Sequence, residues 1–576
     1  ATHIAAPMGG QARRAAAIAS RTLSLVPGPR HDAAMEGTLP IGWTDVATLL
    51  AIAGILAMAL AASYGWLHRR GRDARDGRGP SEHAISAMAV VFAPVWLALV
   101  AAILWMLPMV IGEMRTSEAG DLRWSALAFV GLVTALGGLV SAPLALIRVQ
   151  TTERQTRTAE QGHMTDRINK AVEQLGAEKT VKKDDREYTE PNKEVRIGAI
   201  LSLERIAQDS TTYDHGRDHV RVMEILCAYI RENAPASGAR DHGFGAWEPL
   251  PDDASAEERA AHLEKRRERF GDPGSAIGKV REWAQTLPPP RQDIALALRI
   301  IGRRDAKQRT VEARWGPEAA ADAEWVFDRP CPELPAPPQN APHPPGAVDR
   351  FLTELHDWKE HIATYRGYRP DLRGTNLQGA DLSGLVVSGA RMIGTRLEGA
   401  NLSRTRLVGA KLRARLEGAN LSVSRLEAAD LSVAWMEGVL LNEVWMTGAV
   451  LLGARMDGAV LHMARLEGAN LCGARLEGAV LHMARLEGAN LFMCRLVGAH
   501  LEGARIDGTK SFKKAVVRGA TLQNMTLPPG VLTPDQLATM FGDGSVSLPE
   551  VVARPAHWPE ADLGFMFDHE RRRWQS

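Results

Sequence analysis

Ala464-Arg-Leu-Glu-Gly-Ala-Asn-Leu-Cys-Gly-Ala-Arg-Leu-Glu-Gly-Ala-Val-Leu-His-Met-Ala-Arg-Leu-Glu-Gly-Ala-Asn-Leu491 places a leucine at every fifth position, from Leu466 to Leu491, with an alanine two residues before each. The pattern extends in both directions. Apolar centres fall every five residues from Leu372 to Leu412, take one four-residue step to Leu416, and then run on to Ile506. Five is neither the helical period of 3.6 nor the strand period of 2, so the repeat needs a geometry of its own. If the leucine and the small residue both point inward and the others outward, four units close a square turn. Turns then stack at about 4.8 Å, the spacing of neighbouring strands. Only a small side chain fits beside leucine at so crowded an axis. Seven such coils make a rod of about 35 Å.

A period of five with Leu at the centre and Ala two residues before it resembles the pentapeptide-repeat family. That resemblance implies a right-handed quadrilateral β-helix over 371–527. The step Leu412-Arg-Ala-Arg-Leu416 and a slip near Lys510–Phe512 depart from the pattern, and each predicts a bulge or local break.

Residues twenty apart share a face, so the outer surface can be read in columns. Arg455, Arg475 and Arg495 stack on one face beside Asp457 and Glu477. Arg465, Arg485 and Arg505 stack on the opposite face beside Glu467, Glu487 and Asp507. Mutually neutralised, solvated ladders are the expectation. Leu440, Val460 and Val480 form an outward apolar column, with Met463 and Met483 at nearby corners. These five residues are the candidate interaction surface, and the helical domain of the same chain, folded back, or a separate protein is the expected contact. Leu452 and Phe492 lie on the opposite face, and Trp435 and Trp445 also point outward. His462 and His482 stack in one column. Stacking supplies two metal ligands and no third is evident, so neither a metal nor any other cofactor is assigned.

Upstream of the repeat the composition changes. Pro-rich residues 328–346 read as a linker and 347–370 as a helix leading into the solenoid. Residues 148–327 read as a cytoplasmic α-helical domain, with helices near 194–208, 218–232, 255–269, 275–286 and 292–303 and a charged loop over 177–193. Cys227 lies on an apolar helix face and reads as a small core residue. Gly274-Ser-Ala-Ile-Gly278-Lys279 misses the phosphate-loop spacing by one residue and reads as a helix start. The segments Thr165–Gly176, Glu194–Gly198 and Leu203–Ala207 resemble the helical module that precedes pentapeptide repeats in bacterial membrane proteins. Leu532–Leu537 and Arg554–Pro559, within the terminal segment 528–576, resemble the ending of the same group.

Three stretches lack charge: Val46–Trp66, Ala84–Gly112 and Trp124–Ile147. Each exceeds the roughly 20 residues that span a bilayer core, so 46–147 is expected to hold three transmembrane helices behind a disordered tail, 1–45. Arginines at 69, 70, 72, 75 and 78 and again after 148 place those segments on the cytoplasmic side of a bacterial inner membrane. No ionisable residue lies inside the spans, which disfavours a channel or pump. Gly131, Ala135, Gly138 and Ala142 form a small-residue stripe suited to helix packing, within the chain or between copies.

The 69 basic and 68 acidic residues nearly cancel, so no globally basic nucleic-acid binder is indicated. Between 371 and 527 there are 19 basic and 14 acidic residues, a balance of +5 that opposes a mimic of duplex DNA. No hydrolase elbow, zinc-protease motif or Cys/His cluster occurs, so the protein is not read as an enzyme. The reading is a membrane-anchored interaction scaffold. The alternative is a membrane effector or sensor in stress or phage defence.

Overall fold

The computed structural model describes residues 164–575 apart from 184–185, 214–215, 252–253, 273–277, 338–342 and 510–511, together with scattered positions between 97 and 162. The expected tail 1–45 and the span Val46–Trp66 lie outside the described residues, as do most of Ala84–Gly112 and Trp124–Ile147. Residues 97–105 are helical. Among the described residues no helix is long and apolar enough to cross a membrane. The chain divides into two units, Ala1–Ala159 and Glu160–Ser576.

The body of the second unit is the β-helix. Each centre donates its backbone N–H to the coil above, as Leu441 does to the Val460 carbonyl (2.7 Å) and Leu486 to the Arg505 carbonyl (2.7 Å). Parallel bridges recur every 20 residues, for example Trp435↔Arg455 and Val460↔Val480. The inward leucines and alanines are fully buried, Ala484 among them. At Leu412–Leu416 the expected break does not occur. The ladder runs through with a 19-residue coil, Arg396↔Arg415, because the missing residue is removed from a corner and not from a paired position. After Lys510, a 3-10 turn at Phe512–Lys514 takes up the slip and pairing resumes at Arg495↔Val516.

The four faces can be numbered by their centres. Face I holds Leu416, Met436, Met456 and Leu476. Face II holds Leu421, Leu441, Leu461 and Leu481. Face III holds Leu426, Met446, Leu466 and Leu486. Face IV holds Leu431, Leu451, Leu471 and Leu491.

Helix α1 (164–175) leads into a hairpin, β1 (Glu178–Lys183) and β2 (Arg186–Pro191). The hairpin stands where the sequence predicts a charged loop. Thr180, Val181, Tyr188 and Thr189 supply β-forming residues on both strands, paired Thr180↔Thr189 and Val181↔Tyr188. Helices α2 (Lys193–Tyr213), α3 (Arg217–Asn233) and α6 (Gln292–Gly302) pack together, and their core continues into the first coils of the solenoid. Pro235 bridges Thr375, and Val386 donates to the Gly302 carbonyl (2.7 Å), so this bundle closes the amino end of the β-helix. Cys227 is buried in that core, as its apolar face predicts. At the other end Thr521–Leu522 pairs with Phe541–Gly542, and Trp558 packs into the end of the core.

Candidate functional site

The charged ladders are not solvated, which corrects the sequence reading. On face I, Arg396 pairs with Glu398 (2.6 Å), Arg415 with Glu417 (2.9 Å), Arg455 with Glu437 (3.0 Å) and Arg475 with Asp457 (3.1 Å). All four carboxylates are buried. The covering chain is formed by the described parts of 236–287, including α4 (Ala256–Phe270), which a Ser255/Glu258 capping box starts, and α5 (Lys279–Gln285). It brings its own partners. Arg269 reaches Glu437 (2.6 Å), the Trp247 indole donates to Glu477 (3.1 Å), and Arg475 donates to the Trp247 carbonyl (2.6 Å). Lys279, the last residue of the near-phosphate-loop stretch, is the first residue of α5 and pairs with Glu268; residues 273–277 lie outside the described residues.

Face III repeats the arrangement. Arg485 bonds Glu467 (3.0 Å) and donates to the Leu334 carbonyl (2.7 Å), while His343 meets Glu487 (3.3 Å). Helix α8 (Ala347–Ala363), which follows α7 (Ala306–Ala313), lays Leu352 and Leu355 over Gly448, Gly468 and Gly488. The described parts of the Pro-rich 328–346 segment therefore lie against the solenoid, with Leu334 buried. Trp445 is stacked between Arg425 and Arg465, and on face I Trp435 between Arg415 and Arg455, with guanidinium–ring distances of 4.2–5.3 Å. The two tryptophans do more than point outward. They are spacers that keep successive arginines apart and attract each.

Burial decides the electrostatics. Asp457 is pushed up to about 7, first by burial and then by Glu477 and Glu437 in its own column, against the pull of Arg475. Glu487 is raised for the same first reason. Glu477 goes the other way: its burial is outweighed by hydrogen bonds from His262 and Trp247. The covering chain thus shifts the carboxylates in both directions, raising Asp457 and Glu487 by burying them and lowering Glu477 by hydrogen-bonding to it. Where it joins the amino-end bundle, Glu312 is fully buried between His219 (2.9 Å) and Arg304 (2.7 Å), an arrangement that no spacing in the sequence signals.

The candidate surface lies on face II. Leu440, Val460 and Val480 are bridged in one column and are half-buried, while Met463 is 44% and Met483 48% exposed. The helical region folds back as one of the expectations required, but onto faces I and III, leaving these methionines open. Face IV, opposite, exposes Ile393, Val433, Leu452 and Met493. His462 and His482 do stack, with ring centroids 4.8 Å apart. Among the described residues no three His, Cys, Asp or Glu side chains converge as a metal site.

A further signal in the sequence, beyond those read above from spacing, marks the difference between faces. The residue two after each centre adopts the left-handed conformation. On faces I and III it is glycine at every coil but one, Ala428. On faces II and IV it is frequently Arg404, Val423, Val433, Glu443, Met463, Met483 or Met493. Covering explains the glycines: a Cβ at Gly399 would sit 2.4 Å from the Ala284 carbonyl oxygen, and one at Gly458 2.4 Å from Phe270 Cβ.

The pentapeptide-repeat profile, described as "Pentapeptide repeats", matches eight copies, over 371–409, 434–471 and 454–491. The chain belongs to the pentapeptide-repeat family. Among solved structures it is similar to HetL, a pentapeptide repeat protein involved in heterocyst differentiation regulation from the cyanobacterium Nostoc sp. strain PCC 7120, at 34% identity over 26% of this chain and 75% of that one (TM-score 0.14). It is also similar to Rfr23 of the cyanobacterium Cyanothece 51142, at 26% identity over 24% of this chain and 90% of that one (TM-score 0.13). Full-length QnrB1, a plasmid-mediated fluoroquinolone resistance protein, matches at 15% identity over 34% of this chain and 95% of that one (TM-score 0.17). No curated protein matches the chain.

Proposed function

We propose that this pentapeptide-repeat protein is a membrane-tethered interaction scaffold whose working surfaces are faces II and IV of the β-helix. The observation that carries the reading is the asymmetry of coverage. Two opposite faces are clasped by the chain itself through buried Arg–carboxylate ladders, while face II displays Leu440, Val460, Val480, Met463 and Met483 in registered columns and face IV exposes Ile393, Val433, Leu452 and Met493. A rigid rod clasped on two sides holds those columns in fixed register without any moving part. The tether in this proposal is the apolar segments Val46–Trp66, Ala84–Gly112 and Trp124–Ile147, whose length suits a bilayer and whose flanking arginines put the solenoid in the cytoplasm of a bacterium. A mimic of duplex DNA needs carboxylates on its surface, and the ladder carboxylates here are buried beneath the protein's own chain.

The test is Val480→Lys with Met483→Lys in the full chain carrying a proximity-labelling ligase. The rod stays folded by circular dichroism, and specific proteins drop out of the labelled set. An unchanged set rejects face II as a contact surface.

A further inference from the structure

Face II carries the same dipeptide twice in register, His462-Met463 and His482-Met483. The two imidazole rings lie 4.8 Å apart and tilted by 57°. The Met463 amide donates to the His482 carbonyl (2.8 Å), so the ladder itself fixes one corner above the other. Both methionines hold left-handed backbone at φ 55°, in a column where Gly503 occupies the next corner. The Met483 side chain lies along the column, its Cγ being the nearest atom to the space above Gly503. Two stacked imidazoles thus sit on one open surface of neighbouring coils, with exposed methionines at the adjacent corners, Met483 leaning toward Gly503.

The donor set selects the ion. A metal held between two nitrogens at about 2 Å each needs them about 4 Å apart, a separation that ring rotation can reach from centroids 4.8 Å apart. Among the described residues no third His, Cys or carboxylate converges to complete a tetrahedron; Glu502 approaches His482 only at 4.0 Å and lies on its far side from His462 in the column. Ions that demand four ligands or hard oxygens are therefore poorly served. Thioether sulfur is soft and favours Cu(I) over Zn(II), Mg(II) or Ca(II).

We infer that the stacked His462-Met463 and His482-Met483 corners form a surface site for one soft monovalent ion of the Cu(I) class, bridged by the two imidazoles and completed by methionine sulfur. Binding needs no rearrangement of the coils, because the ladder holds the backbone of both histidines whether or not an ion is bound. The site is separable from the docking role of face II by Val480→Lys alone, which changes the docking column and leaves both histidines and both methionines in place.

The experiment titrates the full chain with Ag(I), which is redox-inert and shares the preference for nitrogen and thioether donors, and reads stoichiometry and affinity by calorimetry. Other histidines and methionines bind too, so the readout is the difference between variants. The wild type binds one more tight equivalent than His462→Ala with His482→Ala. Met463→Leu with Met483→Leu keeps size and fold and weakens that equivalent by about tenfold or more. Equal stoichiometry and affinity in wild type and the histidine variant overturn the site. An equally tight Zn(II) equivalent that survives the Met→Leu pair overturns its soft character, and with it the proposal.

Discussion

Faces I and III and faces II and IV are built from the same five-residue unit, yet they end in opposite environments. The inner half of the unit is common to all: leucine and alanine are buried on every face. The outer half diverges. Where the chain returns to cover a face, the corner residue is glycine, the carboxylate that follows the centre is buried, and the arginine before it reaches covering carbonyls. Where the face stays open, the corner is sometimes glycine, as at Gly453 and Gly503, but often carries a side chain, as at Val423, Val433, Met463, Met483 and Met493, in a backbone conformation that costs about 1–2 kcal/mol for any residue with a Cβ. One fold thus supports two surfaces. The glycine column does more than make a turn possible, because it removes the only atom that would keep the covering chain away.

The largest break in that comparison comes from giving a covered corner a side chain. Gly458→Met combines the left-handed penalty with a collision against Phe270. The expected loss is about 2–5 kcal/mol, the strain of about 1–2 kcal/mol plus overpacking of about 1–3 kcal/mol. Denaturant unfolding measures it. A loss below about 1 kcal/mol would mean that α4 does not pack on face I.

Removing a ladder contact from the covering side comes next. Arg269→Met leaves Glu437 with Arg455 alone, also removes the bonds Arg269 donates to the Phe244 and Gly245 carbonyls, and should cost at least about 1–3 kcal/mol. The same truncation at Arg404, exposed on face II, should change stability by less than about 0.5 kcal/mol. Equal effects at the two sites would erase the distinction between covered and open faces.

Burial also predicts a pH signature for face I. Asp457, raised by burial to about 7, keeps its proton in the folded state where the unfolded chain has lost it. Its contribution is full below about 4, the ordinary range for a free aspartate, and is lost as pH rises through about 7. Asp457→Asn should flatten the melting-temperature profile between about pH 5 and 8, with the variant matching or exceeding wild type at the alkaline end. A profile of unchanged slope would show that the covering chain admits water to this carboxylate.

The sequence makes the rod legible because its period is local and strict. Leu466 or Ala484 can be assigned an inward direction from spacing alone, since any other register would bury arginine. Which faces are covered is far less legible. A ladder such as Arg475–Asp457 reads the same whether it faces water or a helix, and the covering residue Trp247 lies 228 positions away from Arg475 in the chain. The capping box at Ser255 and the apolar stripe of α3 mark helices but not their destinations. The hairpin at Glu178–Pro191 is obscured by its lysines and glutamates, which hide the Thr/Val/Tyr alternation. The apolar segments proposed to cross a membrane are read from the sequence alone. The glycine column is the one available pointer to coverage, visible only when the chain is folded on paper into turns of four units and each corner is read down its own face.

The smallest expected effect tests that pointer through its sign. Met483→Gly should stabilise the protein slightly, where Gly458→Met destabilises it strongly. Glycine relieves about 1–2 kcal/mol of left-handed strain at φ 55°. Against this stand about 0.5–1 kcal/mol of extra entropy in the unfolded chain and the partial burial of a side chain that is already half exposed. The net gain is about 0–1 kcal/mol, a rise of a few degrees at most in a chain of this size. Methionine at that corner then has no basis in folding stability. On the proposals above, its role is in what the side chain would touch beyond the fold, a docked partner or a soft ion. If Met483→Gly destabilises by more than about 1 kcal/mol, the methionine is holding its own column together by packing along it over Gly503, and the open faces are structural after all.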